Sequence, residues 1–462
     1  MKNLGLLLFS ISVLFVTSCR EHPKKEEGTV AATAAEVTPK TALEHYLNTE
    51  DAAYSWELKD SFSLDKVTAY DILLTSQKWR EHTWKHQLTI FVPDTVAFDG
   101  ALLFITGGRL TDGMPNWKDK EKIVDESAPF AQMAQKNEAP VAILRQVPMQ
   151  PLYGDLVEDE LISFTLHNYK KDKDLTWPLL FPMVKSAVKA MDAVQEFSKQ
   201  RLGKDIEKFT VAGASKRGWT TWLTGASDKR VAAIGPMVID VLNMPVSLDY
   251  HLTAWNEYSE QIKDYIELEI PQTVNTEDGR ALTQMIDPYS YREKLTMPKL
   301  LFIGTNDEYW PVDAIKNYIG DIPGENYVQY TPNAGHDLGG GERALKALSA
   351  FWGKTLAQKP YDDLAYELNA DATSATLDVA SDSEALSAAY LWSADSEDRD
   401  FRDEKWDSTQ LRLSGDGKVI QKIPFPKQGY EAFYIDLEYK VPNGGTYTKS
   451  TRMYVADDDE IL

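Results

Sequence analysis

The stretch Phe209-Thr210-Val211-Ala212-Gly213-Ala214-Ser215-Lys216-Arg217-Gly218-Trp219 constrains the fold more than any other segment of the chain. An apolar run of strand character stops at Gly213-Ala214-Ser215, and a helix-compatible segment follows at once, from Lys216 to about Ala226. A strand that turns this sharply into a helix brings two backbones close together, which calls for residues with little or no side chain at the crossing. The turn also lifts one residue clear of both elements. Here that residue is Ser215, in the layout of a nucleophile elbow. The usual second glycine, two places after the serine, is missing: Arg217 stands there, and Gly218 comes one later. Taken alone, the stretch is equally well a glycine-rich strand–helix connection, and its surroundings decide between the two.

Those surroundings alternate. Apolar runs of strand length occur at Ala101–Thr106, Pro140–Leu144, Val231–Ile234, Lys299–Gly304 and Tyr327–Tyr330. Continuous apolar runs suit strands buried on both faces of a parallel sheet. Between them, helical patterns are expected near Pro129–Lys136, over Phe181–Leu202, from about Val312 to Ile319, and from Glu342 to about Leu356. The second is the clearest, with Met183, Val184, Ala187, Val188, Met191 and Val194 at three-four spacing. The alternation predicts an α/β domain with a mostly parallel sheet. Upstream, Tyr70–Gln77 and Gln87–Pro93 are expected as an antiparallel pair joined around Arg80–Lys85. His82 and His86 fall in that connection and are expected in a solvated loop, not as metal ligands. Residues 241–297 are long, mixed and rich in aromatics, an insertion of the kind that caps a site. From about Asp362 the period becomes two: Phe433, Ile435, Leu437 and Tyr439 alternate with Tyr434, Asp436, Glu438 and Lys440, and Asn443-Gly444-Gly445 marks a turn. This predicts a C-terminal β-sandwich over residues 362–462.

A serine becomes a nucleophile only when a base takes its proton and an acid orients that base. Of seven histidines, only His336 follows a late core strand in a glycine-flanked loop, Asn333-Ala334-Gly335-His336, and Asp307 follows the strand before it. The order Ser215, Asp307, His336 is that of α/β-hydrolases, so the predicted fold over residues 41–361 is an α/β-hydrolase with a cap at 241–297. The backbone N–H groups of Lys216 and of the Gly107-Gly108 loop are the expected oxyanion donors, since a Gly-Gly turn after an early strand can aim an N–H at a developing charge with no side chain in the way. Asp240, at the end of the strand after the elbow helix, is the alternative acid; Asp313 and Asp337 are weaker candidates. Arg217 is expected either beside the site, favouring an anionic group, or in a surface salt bridge. No zinc-binding His-Glu-x-x-His, phosphate loop or dinucleotide fingerprint occurs, so no metal and no cofactor are expected.

The first residues have the order of a targeting segment: Lys2, an apolar run from Leu6 to Val16 too short to span a bilayer, then Val16-Thr17-Ser18-Cys19. This resembles a bacterial lipobox with Cys19, the only cysteine, as the lipidated residue. Residues 1–19 are thus expected as a lipoprotein signal peptide and 20–40 as a flexible tether, which places the domain on a membrane in a bacterial cell envelope, periplasmic or surface-exposed. The charge balance, 49 basic against 71 acidic residues, argues against nucleic acid as a partner.

Gly213-Ala-Ser-Lys-Arg-Gly-Trp219, with Gly107-Gly108, Arg145-Gln146-Val147-Pro148, Val147-Pro-Met-Gln-Pro151, Gly304-Thr-Asn-Asp307 and Asn333-Ala-Gly-His336, resembles the PhoPQ-activated pathogenicity-related family over about residues 41 to 460. The resemblance implies an α/β-hydrolase-like protein with a C-terminal β domain, secreted or surface-attached and linked by name to virulence regulation. It also implies that an arginine at position 217 belongs to the family pattern. Two functions follow as expectations. One is a lipid-anchored serine hydrolase acting on a small-molecule or polysaccharide ester. The other is a non-catalytic envelope protein that binds cationic peptides on a hydrolase scaffold.

Overall fold

The computed structural model describes residues 36–441 and 445–462. Cys19 with its apolar run, most of the 20–40 tether, and Asn443-Gly444 of the expected turn lie outside the described residues. The central sheet is built from β1 (Ser55–Leu64), β2 (Val67–Trp79), β3 (His82–Pro93), β4 (Gly100–Ile105), β5 (Val141–Leu144), β6 (Lys208–Ala214), β7 (Val231–Met237), β8 (Lys299–Gly304) and β9 (Asn326–Thr331). Their order is β1-β2-β3-β5-β4-β6-β7-β8-β9. The six strands from β5 to β9 in that order are parallel, and β1 to β3 form an antiparallel meander on one side. The chain lays β5 on one side of β4 and then β6 on the other. An open α/β sheet offers its ligand crevice at the carboxyl ends of the strands at such a reversal, and β6 delivers Ser215 there.

Helices cover both faces because the parallel strands are apolar on both. On one face, α1 (Pro39–Asn48), α4 (Leu180–Phe197) and α5 (Lys216–Ser227) share a core with β2 and β6; on the other, α2 (Lys120–Asn137) and α8 (Glu342–Leu356) pack against β5 and β8. Between these lie α3 (Glu158–Asp172) and, in the insertion 241–297, α6 (Met244–Trp255) and α7 (Glu277–Ile286). Among the described residues no helix is long and apolar enough to cross a membrane.

The C-terminal strands are β10 (Ala365–Ala370), β11 (Ser374–Ala380), β12 (Leu386–Ser396), β13 (Asp407–Leu411), β14 (Lys418–Pro424), β15 (Tyr430–Lys440), β16 (Thr446–Ser450) and β17 (Tyr454–Ala456). They make two facing layers. In one, β10-β11-β14 form a three-stranded sheet; in the other, β16-β15-β12-β13 continue the central sheet, joined where β16 runs antiparallel to β9 with Ser450 opposite Val328. Leu377 and Val379 of β11 share a core with Phe433, Ile435 and Leu437 of β15. Of the expected outward set on β15, Tyr434 and Asp436 are also buried. Tyr434 packs on Tyr330, with ring centroids 4.9 Å apart, and Asp436 pairs with Arg343 and accepts a hydrogen bond from Ser450 Oγ at 2.6 Å. A strand inside a sheet covered on both sides buries both sets, and its polar residues then need partners.

Two local expectations are corrected. His82 and His86 do not lie in a solvated loop: β2 and β3 run on to a tight turn at Arg80-Glu81, with Arg80 at φ 52°, and both histidines belong to β3. His86 is fully buried, 2.9 Å from Ser76 Oγ through Nε2 and 3.0 Å from the Arg145 carbonyl through Nδ1. The segment Val312–Ile319 is not an α-helix but two short 3₁₀ turns, Ala314–Asn317 and Ile319–Asp321. Asp313, expected inside that helix, instead precedes the first of these turns, and its carboxylate accepts from Tyr250 and Lys316. The polar strand β1 and helix α3 were not expected.

Burial holds two imidazoles neutral. It lowers His86, and with the Arg402 charge His251, from 6.5 to about 4. Unfolded, both take up protons below about 6.5; folded, only near 4. The unfolded chain therefore binds more protons across that interval, and stability falls as pH is lowered through it. Chemical denaturation should give a lower midpoint at pH 5 than at pH 7, and His86→Gln should shrink the difference.

Candidate active site

Ser215 sits at φ 59°, ψ −128°, between β6 and the first residue of α5. A side chain in this region costs about 1–3 kcal/mol and persists only where surrounding structure imposes it. The imposing contacts are visible: Ser215 N–H donates to the Met237 carbonyl at 2.9 Å, and its own carbonyl accepts from Trp219 N–H at 3.0 Å. The crossing also explains the displaced glycine. A Cβ on Gly218 would lie 2.8 Å from the Met237 carbonyl oxygen and 3.0 Å from that of Gly213, while a Cβ on Gly213 would lie 2.9 Å from the Arg217 carbonyl oxygen. Residue 218 is thus where α5 grazes the sheet, and position 217 is free to carry a long side chain.

Asp307 and His336 stand after β8 and β9. Both carboxylate oxygens of Asp307 are 3.0 Å from His336 Nδ1, and Oδ1 also accepts from Tyr309 N–H at 2.9 Å. Burial pushes the Asp307 carboxyl above its ordinary range, against the pull of the adjacent imidazole. Tyr309 stacks on the His336 ring at 4.0 Å between centroids, and the Glu308 carboxylate accepts from His336 N–H at 3.0 Å. The two loops are also pinned from behind. Asn306 Nδ2 donates to the Glu404 carbonyl at 2.7 Å, and Asn333 exchanges hydrogen bonds of 2.9 and 2.8 Å with the backbone of Trp406. The C-terminal region thereby braces the residues flanking both Asp307 and His336. Gly304 fixes their spacing, since a Cβ there would lie 2.4 Å from the carbonyl oxygens of both Ala334 and Gly335. These are backbone atoms that cannot swing away, so Gly304→Ala should force the two loops apart. The expected result is a loss of activity well beyond the loss of stability, checked by comparing kcat/KM with the thermal midpoint.

Ser215, Lys216 and His336 line one cavity, with Asp307 behind the imidazole. His336 Nε2 is shielded and has no hydrogen-bond partner among the described residues, while Ser215 makes no side-chain cap to α5. Gly107 and Gly108 do not line this cavity. Gly107 abuts Arg217, whose Nη2 would lie 2.5 Å from an added Cβ, and Gly108, at φ 145°, abuts Gln146. Asp240 is buried apart from His336: it accepts from Tyr318, its Oδ2 has no partner among the described residues, and burial, reinforced by the Asp307 charge, raises it to about 7.

Arg217 takes neither expected place. Its guanidinium, 11% exposed, makes two 2.7 Å bonds to the Glu158 carboxylate, and Nε donates to the Val147 carbonyl. Lys216 Nζ adds contacts of 3.2 Å to Glu158 and 2.9 Å to Asp159. Burial alone would raise the Glu158 carboxyl, but the two cations bring it down to about 2. Glu158 and Asp159 were missed by motif reasoning. A signal was present: Glu158-Asp159-Glu160 precede Leu161, Ile162, Thr165, Leu166 and Tyr169, an acidic first turn before a helical apolar face.

The cavity is small, about 50 Å³. The insertion supplies much of its wall through Met244, Leu248, Ile262, Tyr265, Ile270 and Pro271.

Comparison with known proteins gives the following. The family model described as PhoPQ-activated pathogenicity-related protein matches residues 43–402. Autocrine proliferation repressor protein A of Dictyostelium discoideum is 29% identical over 433 residues, covering 86% of each chain. Acetyl xylan esterase 1 from Thermoanaerobacterium sp. JW/SL YS485 aligns with a TM-score of 0.47 at 16% identity, over 69% of this chain and 93% of its own. An S-formylglutathione hydrolase from Agrobacterium tumefaciens aligns with a TM-score of 0.44 at 11% identity, over 65% and 99%.

Proposed function

The chain belongs to the PhoPQ-activated pathogenicity-related protein family, and from that premise and its hydrolase scaffold we propose that it is a serine hydrolase of carboxylic esters. The observation that carries the proposal is the delivery of Ser215, Asp307 and His336 to one place by three parallel strands, with the serine in a strained turn and the imidazole against a buried carboxylate. Ser215 Oγ attacks the ester carbonyl carbon while its proton passes to His336 Nε2. The alkoxide leaves with that proton as the alcohol, and the acyl group stays on Oγ. Water then attacks the acyl-enzyme, giving a proton to Nε2; Oγ departs, recovers the proton, and the carboxylic acid is released. The negative charge on the carbonyl oxygen is met by the Lys216 N–H at the start of α5. His336 Nε2 has no hydrogen-bond partner among the described residues, and its bond to Ser215 Oγ forms when substrate fills the cavity, as catalytic hydrogen bonds tighten on ligand binding. Hydrolysis of p-nitrophenyl esters that disappears in His336→Ala tests the proposal; turnover unchanged in that variant would refute it.

The proposal extends to location. Cys19 carries a lipid anchor in the bacterial envelope, on the motif that precedes it. Metabolic labelling with a fatty acid should mark the wild type and not Cys19→Ser, and equal labelling of both would refute the anchor. The binding-protein alternative gains no support from the cavity: its charges, Asp159 and Lys216, are paired with each other at 2.9 Å.

A further inference from the structure

We infer that the cavity beside Ser215 is an acyl site for an uncharged hydrocarbon chain. The inference rests on the serine-hydrolase reading for the chemistry and on the cavity alone for the ligand class. The wall is apolar: Met244, Leu248, Ile262, Ile270 and Ile239 are each less than a tenth exposed.

The charged groups and the Trp219 N–H in the wall are occupied. Asp159 Oδ2 pairs with Lys216 at 2.9 Å, and its Oδ1 accepts from Tyr265 at 2.9 Å. Trp219 Nε1 donates to the Ile286 carbonyl at 2.6 Å. The shielded atoms of the lining without a partner among the described residues are His336 Nε2, which the reaction uses, and Trp310 Nε1. A charged acyl group would enter without a counter-charge, and a sugar ring would lose hydrogen bonds to water with only the Trp310 N–H and the Tyr309 hydroxyl to replace them. A hydrocarbon loses nothing on entry and gains the transfer free energy of its methylenes.

The apolar wall also distinguishes the two halves of an ester. The alcohol must leave before water can attack, whereas the acyl group stays on Ser215 through both steps. An apolar wall beside the nucleophile suits the half that stays, and the alcohol is left to face solvent.

The test uses the full chain and p-nitrophenyl acetate, butyrate, hexanoate and octanoate, with binding of methyl acetate and methyl octanoate to Ser215→Ala followed by the fluorescence of Trp219 and Trp310. From acetate to hexanoate, kcat/KM should rise about fourfold per added methylene. Leu248→Phe should lower it more for hexanoate than for acetate, and Ile262→Ala, which enlarges the cavity, should move the preferred chain to greater length. Ser215→Ala should bind methyl octanoate at far lower concentration than methyl acetate. Rates that fall steadily from acetate, while still depending on Ser215, would overturn the acyl site and leave the hydrolase standing. Octanoate binding weakened by Leu248→Phe, with no ester hydrolysed, would remove the hydrolase and leave the ligand class intact. Neither hydrolysis nor binding would end both.

Discussion

Ser215→Ala is expected to lower kcat/KM for ester hydrolysis on the order of 10⁶-fold, the scale of nucleophile removal in serine hydrolases. The fold should survive. Ser215 makes no side-chain cap to α5, and the bonds that shape the turn belong to its backbone N–H and carbonyl. Ser215→Gly separates the two roles further. Glycine accepts φ 59°, ψ −128° without a Cβ penalty. The strain relieved, about 1–3 kcal/mol, exceeds the extra entropy cost of glycine, roughly 0.5–1 kcal/mol. Ser215→Gly should therefore be as inactive as Ser215→Ala and more stable. Steady-state kinetics beside thermal denaturation checks both, and a glycine variant that unfolds at lower temperature than the wild type would contradict the reading of the turn as strained.

Asp307→Asn should cost on the order of 10⁴-fold, because an amide cannot hold the His336 ring in the tautomer that leaves Nε2 free to accept a proton. Both Asp307 oxygens are 3.0 Å from Nδ1, so the amide must present either its NH₂ to the ring N–H or a single oxygen in place of two. Asp240→Asn should cost a small fraction of this. Its carboxyl bonds Tyr318, not His336, and the change removes a buried acid already raised to about 7. Kinetics of the two variants with one ester decides between them; the reverse ranking would transfer the orienting role to Asp240.

The acid–base geometry was legible because each candidate followed an apolar strand, and strand ends are where a parallel sheet exposes side chains. Gly213 and Gly218 carried the turn, and the structure gives the reason for their five-residue spacing in the graze of α5 over β6 and β7. What stayed hidden was the network that has no period. Glu158 and Asp159 reach Arg217 and Lys216 from more than fifty positions away, and nothing local to either pair specifies the contact. Asn306 and Asn333 resemble ordinary turn residues in sequence, yet their side chains hold the backbone of 401–406. On β15 the alternation was correctly seen, but a two-fold period says which residues share a face and not whether the second face is covered. His86 was misplaced for a related reason: polar residues carried β2 and β3 past the end of their apolar cores, and burial by neighbouring elements, not hydropathy, kept them in the sheet.

The central claim, that Ser215 is a nucleophile activated by His336, is tested most directly by reacting the folded full chain with a fluorophosphonate and locating the adduct by peptide mass mapping. The account expects one adduct per chain, on Ser215, lost in Ser215→Ala and strongly slowed in His336→Ala. No adduct on Ser215 in folded protein, or an adduct that forms equally fast without His336, would contradict it.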